Sequence, residues 1–239
     1  MVNILYVAYN RRAFTEASFA ALAANTDWTQ VATLHIHDDG SSDSTDKYLW
    51  EASRDLPVEV KYESRRLGGP VAAMLRHLDL CPTSDLAAAF VKIDNDLVVC
   101  PGWLPELLRV STLNPGIDCF GLQPRIGPPV PPPHADRTVE PARFIGGIGL
   151  IRHRAFEVCR PTPNGRFGWS EWQTRHREVA KAWVIPDLPC FCLDLIDLEP
   201  WASLTRDYIG RDWAREWPKY ESLGGNAYYD WWAKEQVLA

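Results

Sequence analysis

The chain has 239 residues, 46% of them hydrophobic and 23% charged, a balance that suits one large globular domain, or one domain with an appendage. Its net charge of −6 disfavours broad electrostatic binding to nucleic acid, though not a local basic groove. No apolar stretch reaches the ~18 residues needed to span a bilayer, and the opening Met1-Val2-Asn3-Ile4-Leu5 lacks a basic leader. The expectation is a cytoplasmic protein with reduced cysteines and an N-terminal strand.

In chain order, strand-like apolar segments at 4–8, 31–37, 58–63, 87–93 and 118–123 alternate with helix-compatible spacing at 14–24, 43–53, 70–80 and 105–113. Such alternation implies a mostly parallel sheet with right-handed crossovers and helices on both faces. Asp43 and Ser44 stand where a helix N-terminus is expected. The proline-rich stretch 127–134 can be neither a helix nor a central strand. It reads as an extended loop, either a connector or a rim that touches substrate. Beyond it come a segment at 143–152, a helix from Arg154, a second helix near 170–180 and a strand at 182–185. Cys190 and Cys192 lie in strand-like surroundings that favour core packing over a soft-metal pair. The tail carries Trp201, Trp213, Trp217, Trp231 and Trp232, which suggests a helical extension over 200–239 that packs on the core, makes a homo-oligomer contact or forms an acceptor platform.

Four motifs interrupt this alternation. Asp94-Asn95-Asp96 closes the apolar run that ends at Ile93, and carboxylates at the carboxyl end of a parallel strand lie where open α/β sheets bind ligands. Two hard oxygen donors there suit Mg²⁺ or Mn²⁺ on a diphosphate; alone, the triplet fits a solvated polar turn equally well. The first strand ends in Ala8-Tyr9-Asn10-Arg11, where backbone groups can meet a base edge and Tyr9 offers a ring for stacking. The second ends in Asp38-Asp39-Gly40-Ser41-Ser42-Asp43, whose carboxylates can accept from a uracil N3–H or a ribose hydroxyl. Later, Gly146-Gly147 allows close backbone approach to a sugar, and Gly168-Trp169-Ser170-Glu171-Trp172 supplies a carboxylate able to act as general base.

In this order the motifs resemble glycosyltransferase family 2 and its GT-A-fold relatives, over residues 2 to about 190. The resemblance implies a GT-A (Rossmann-like) mixed, mostly parallel sheet flanked by helices. A catalytic domain at 1–199 would divide into a nucleotide-binding half, 1–125, and an acceptor-binding half, 126–199. It further implies a metal-dependent transfer of a sugar, typically with inversion, from a nucleotide-sugar donor, usually a UDP-sugar, with Mn²⁺ or Mg²⁺ as cofactor. By the same resemblance Ala8, Tyr9, Asn10 and Arg11 line the donor site with Asn95, and Asp38 and Asp39 share the uracil and the ribose between them. Asp94 faces ribose or sugar and joins Asp96 at the metal. Gly146 and Gly147 border the donor sugar, Trp169 the acceptor, and Glu171 is the base.

The chain departs from the family pattern in two places. After the third strand, Arg65-Arg66-Leu67-Gly68-Gly69-Pro70 keeps little of the usual Asn-x-Gly stretch; Arg65 and Arg66 read as surface charge first and as diphosphate contacts second. The late segment 191–197 lacks a histidine ligand, so Asp194, Asp197 or water would take its place, while His153 and His176 read as surface or structural. Two rivals stay open. Nucleotidyl transfer is one, although Ala8-Tyr9-Asn10-Arg11-Arg12 lacks that class's glycines; a catalytically silent binding module is the other. The sequence leaves the acceptor open, and the missing transmembrane segment disfavours a processive synthase.

Overall fold

The computed structural model describes residues 1–82, 88–122, 139–143, 145–158, 169–184 and 190–193. The expected proline-rich loop, the helical extension over 200–239, Gly168, Asp194 and Asp197 lie outside them. Among the described residues the strands are β1 (Val2–Ala8), β2 (Val31–Asp38), β3 (Glu59–Ser64), β4 (Ala89–Asp94), β5 (Leu97–Val99), β6 (Cys119–Gly121), β7 (Val139–Pro141), β8 (Ile148–Arg152), β9 (Lys181–Val184) and β10 (Cys190–Cys192). The helices are α1 (Arg12–Asn25), α2 (Thr45–Ala52), α3 (Pro70–Leu80), α4 (Trp103–Leu113), α5 (His153–Val158) and α6 (Trp169–Arg175). Among the described residues no helix is long and apolar enough to cross a membrane.

Eight strands form one mixed, mostly parallel sheet in the order β3-β2-β1-β4-β8-β6-β9-β7, and β5 pairs with β10 in a second, two-stranded sheet. The central strands read as unbroken apolar runs because both of their faces are covered. Ile4, Tyr6 and Ala8 point into one core with Phe19, Leu22 and Trp103. Leu5 and Val7 point into the other with Met74, Phe90, Phe156 and Trp172. Register is what matters for function. Ala8 lies opposite Asp38, Asp38 opposite Ser64, and Val7 opposite Asp94, so the carboxyl ends of four parallel strands are level.

The helix expected near 170–180 stops at Arg175. Beyond it Asp118 draws the chain into β9: Ala180 donates its amide to the Asp118 carboxylate, while the Asp118 and Cys119 amides donate to the Ala180 carbonyl. Asp43 precedes α2 instead of opening it, accepting from the amide and hydroxyl of Thr45. The strand β7 is an addition, with Pro141 tolerated because β7 is the edge of the sheet. Cys190 is fully buried in the core, and Cys81, Cys100, Cys119, Cys190 and Cys192 are reduced.

Candidate active site

The level strand ends open into a cleft of about 310 Å³ lined by Val7, Ala8, Tyr9, Arg11, Asp39, Gly69, Pro70, Asp94, Asn95 and Asp96. It is built from the β1–α1 turn, the β2–α2 loop, the β3–α3 loop and the β4–β5 turn. Each is fixed by side chains donated from a neighbour.

The β1–α1 turn carries two consecutive non-glycine residues in the left-handed region, Asn10 (φ 52°) and Arg11 (φ 61°). That conformation costs about 1 kcal/mol or more per residue, so it needs support. The Asn10 amide donates to Ser41 Oγ at 2.7 Å, and its side-chain carbonyl accepts from the Ser42 amide at 2.8 Å. From the other side, Asn95 donates its side-chain amide to the Asn10 carbonyl (2.8 Å) and to Thr15 Oγ1 (2.7 Å). Asn10 and Asn95 therefore lock the wall, and their amides are committed to backbone and hydroxyl partners.

Asp38 and Asp39 part company at the end of β2. Asp38 is fully buried and accepts from the Ser41 amide (3.0 Å), the Ser41 hydroxyl and the Ser64 hydroxyl (2.7 Å). It ties the loop to β3. Asp39 lines the cleft, where one carboxylate oxygen accepts from the amides of Leu67 and Gly68. Gly68 and Gly69 both have positive φ, 98° and 120°, a conformation that side-chain-bearing residues rarely adopt. Beneath Asp39, the His37 Nε2 approaches it to 3.6 Å. His35, His37 and His77 are all fully buried, and burial, before any neighbouring charge, lowers their pKa values, to about 4 for His35 and about 3 for His77.

At the mouth, Tyr9 is half exposed and Arg66 lies over its ring, 4.9 Å from the centroid, donating to its hydroxyl at 2.9 Å. Arg66 is thus a member of the cleft rim that its sequence context reads as plain surface charge; Arg65 instead pairs with Glu63 at 3.3 Å. The acidic pair is equally partnered. Lys92 Nζ sits 2.6 Å from Asp94 Oδ1, and Arg11 Nη1 donates to Asp96 Oδ2 at 2.9 Å. The Asp94 amide donates to the Gly147 carbonyl at 3.0 Å, which brings the Gly146-Gly147 turn to the cleft edge. There Trp169, buried and stacked on Trp172, donates its indole N–H to the Gly146 carbonyl at 3.0 Å.

Glu171 is not among the cleft-lining residues. It is exposed on α6 and pairs with Arg175 at 2.7 Å. His153 packs edge-on to Phe90, and His176 lies 3.2 Å from Glu178. Lys92 escaped sequence reasoning, and its signal was plain: a single ammonium inside an apolar strand.

The donor set fits a hard divalent cation. Asp94 and Asp96 bring two carboxylates to one cleft, and each already partners a cationic side chain.

Residues 4–184 match the family model described as Glycosyl transferase family 2. No curated protein matches the chain. Among solved structures, residues 1–349 of S. aureus TarS superpose with a TM-score of 0.56 at 14% identity, covering 90% of this chain and 72% of that one. The same fragment solved with UDP-GlcNAc gives 0.55 at 13%, covering 90% and 73%. The mannosyltransferase PcManGT from Pyrobaculum calidifontis, in complex with GDP-Man and Mn²⁺, gives 0.55 at 14%, covering 80% and 56%.

Proposed function

The chain belongs to glycosyl transferase family 2, whose members transfer sugars from nucleotide-sugar donors, and from that membership we propose a metal-dependent, inverting transfer of a hexose from a UDP-sugar to an acceptor hydroxyl. The observation that carries this reading is the level register, which brings Tyr9, Asp39, Asp94 and Asp96 to one cleft. TarS and PcManGT, solved with UDP-GlcNAc and with GDP-Man and Mn²⁺ respectively, support a nucleotide-sugar there.

In this reading residues 1–125 bind the donor and 126–199 meet the acceptor. Asp39 accepts from the base or ribose, and Tyr9 with Arg66 stacks on the base. Asp96 and Asp94 would hold Mn²⁺ or Mg²⁺, whose chemistry is to neutralise charge on the departing diphosphate. Arg11, leaving Asp96, turns its guanidinium to the same phosphates. The acceptor oxygen bonds to the anomeric carbon as the bond to the diphosphate breaks, and Glu171 takes the acceptor proton after releasing Arg175. Trp169 fixes the Gly146 carbonyl beside the sugar. A cytoplasmic setting, with the Trp-rich tail as a homo-oligomer contact, completes the proposal.

One observation favours a second reading, a nucleotide-binding module without turnover: Glu171 stands outside the cleft and is already paired. Calorimetry of UDP, GDP and their sugars with and without Mn²⁺ tests the donor site, and UDP release from a sugar-nucleotide panel separates the two readings. Failure of every nucleotide to bind overturns both.

A further inference from the structure

Lysine inside a sheet is costly unless a counter-charge is buried with it. Lys92 is placed within β4 with only 1% of its side chain exposed, between core residues Val91 and Ile93. Its ammonium meets Asp94 Oδ1 at 2.6 Å and donates to the Gly147 carbonyl at 3.2 Å, with the Trp169 ring 5.9 Å away. The second Asp94 oxygen lies against Gly147, where an added Cβ would come within 2.5 Å of it. Asp94 is therefore wedged between an enclosed cation and a glycine backbone, while its face towards the cleft stays open.

Asp96 is partnered differently. Its cation, Arg11, stands at a turn with 29% of its side chain exposed, so the guanidinium can swing into solvent and be rehydrated. Lys92 has no such exit. Taking Asp94 from it would leave an ammonium without a counter-charge in the core, which is strongly destabilising. An incoming cation meets one exchangeable partner and one fixed partner.

We propose that Lys92 is a resident counter-cation that competes with a divalent ion for Asp94, so that the cleft binds Mn²⁺ more weakly than its two carboxylates would alone. The inference rests on the donor site proposed above and makes Lys92 a positioning residue that acts through Asp94. An ammonium and a dication sharing one carboxylate about 5 Å apart repel enough, even at the permittivity of water, to weaken binding about tenfold or more.

The test is Mn²⁺ binding to the full chain in the presence of UDP, followed by electron paramagnetic resonance, for the parent and Lys92→Met. Lys92→Met is expected to bind Mn²⁺ about tenfold tighter or more. Equal or weaker binding by Lys92→Met that melts as one folded species overturns the role of Lys92 while leaving the donor site standing, whereas absence of Mn²⁺ binding in both forms overturns the donor site and this inference together. A melting cycle gives an independent reading should Lys92→Met bind poorly because it is unstable. Asp94→Asn should lower the melting temperature by stranding Lys92, and adding Lys92→Met should restore much of the loss. Simple addition of the two losses would sink the proposal.

Discussion

From β3 to β4 the sheet consists of four parallel strands of six to eight residues with level ends, whereas from β8 to β7 it has four strands of three to five residues running in both directions. The groups expected to meet the nucleotide follow the first pattern: Asp39, Asp94, Asp96 and Tyr9 each have a partner that fixes them at the cleft. In the second half Trp169 is locked against Gly146, but Glu171 projects from a seven-residue helix and pairs with Arg175. In the proposed reaction Asp39 and Tyr9 already stand in place for the nucleotide and only Arg11 has to let go of Asp96. Proton transfer has to wait for Glu171 to leave Arg175.

The contrast would break most completely at Asp96. Asp96→Ala should abolish UDP binding in the presence of Mn²⁺, read by calorimetry; undiminished binding would mean that the first half is not the donor site. Next comes acid. The His35 and His77 values of about 4 and about 3 lie below the ordinary 6.5, so the unfolded chain takes up protons that the folded one refuses. Stability is full above about pH 6.5 and is lost as pH falls towards those values, by on the order of 3 kcal/mol or more between pH 7 and 4. The charges around the cluster, Lys61 and Arg76 against it and Glu63 and Asp39 in its favour, leave burial as the dominant cause. Urea midpoints across this range check the slope, and His77→Phe should flatten it.

Glu171→Gln sharpens the comparison. It should spare UDP binding yet cut turnover about 10²-fold or more, and retained turnover would pass the base role to Glu178 or Asp194. The smallest effect belongs to the rim. Arg66→Ala removes a cation from the Tyr9 ring and should weaken UDP binding by about 1 kcal/mol, measured in the same calorimeter.

The first half was legible because strands covered on both faces leave unbroken apolar runs, and because acidic residues at their ends stand out against them. What the sequence could not separate was Asp38 from Asp39. Successive residues of a strand face opposite ways, and only the register with Ala8 and Ser64 decides that Asp38 stays inside the ladder while Asp39 leaves it. The premature end of α6 was hidden for a similar reason: Asp118, more than fifty positions earlier, captures Ala180. Arg66 is exposed as expected, but its contact with the Tyr9 ring was hidden because that ring comes 57 residues before it. The pairing of Glu171 with Arg175 was open to view, since residues four apart meet on one face of a helix.

The turn that carries Asp94, Asn95 and Asp96 is staked from both directions along the chain. Asn95 reaches back to Asn10, while the Asp96 carbonyl accepts the Leu193 amide at 2.8 Å and β10 zips onto β5 just behind it. During synthesis, then, the acids emerge from the ribosome nearly a hundred residues before the strand that braces them. A nascent chain halted short of Leu193 would display the cleft's residues without its finished shape.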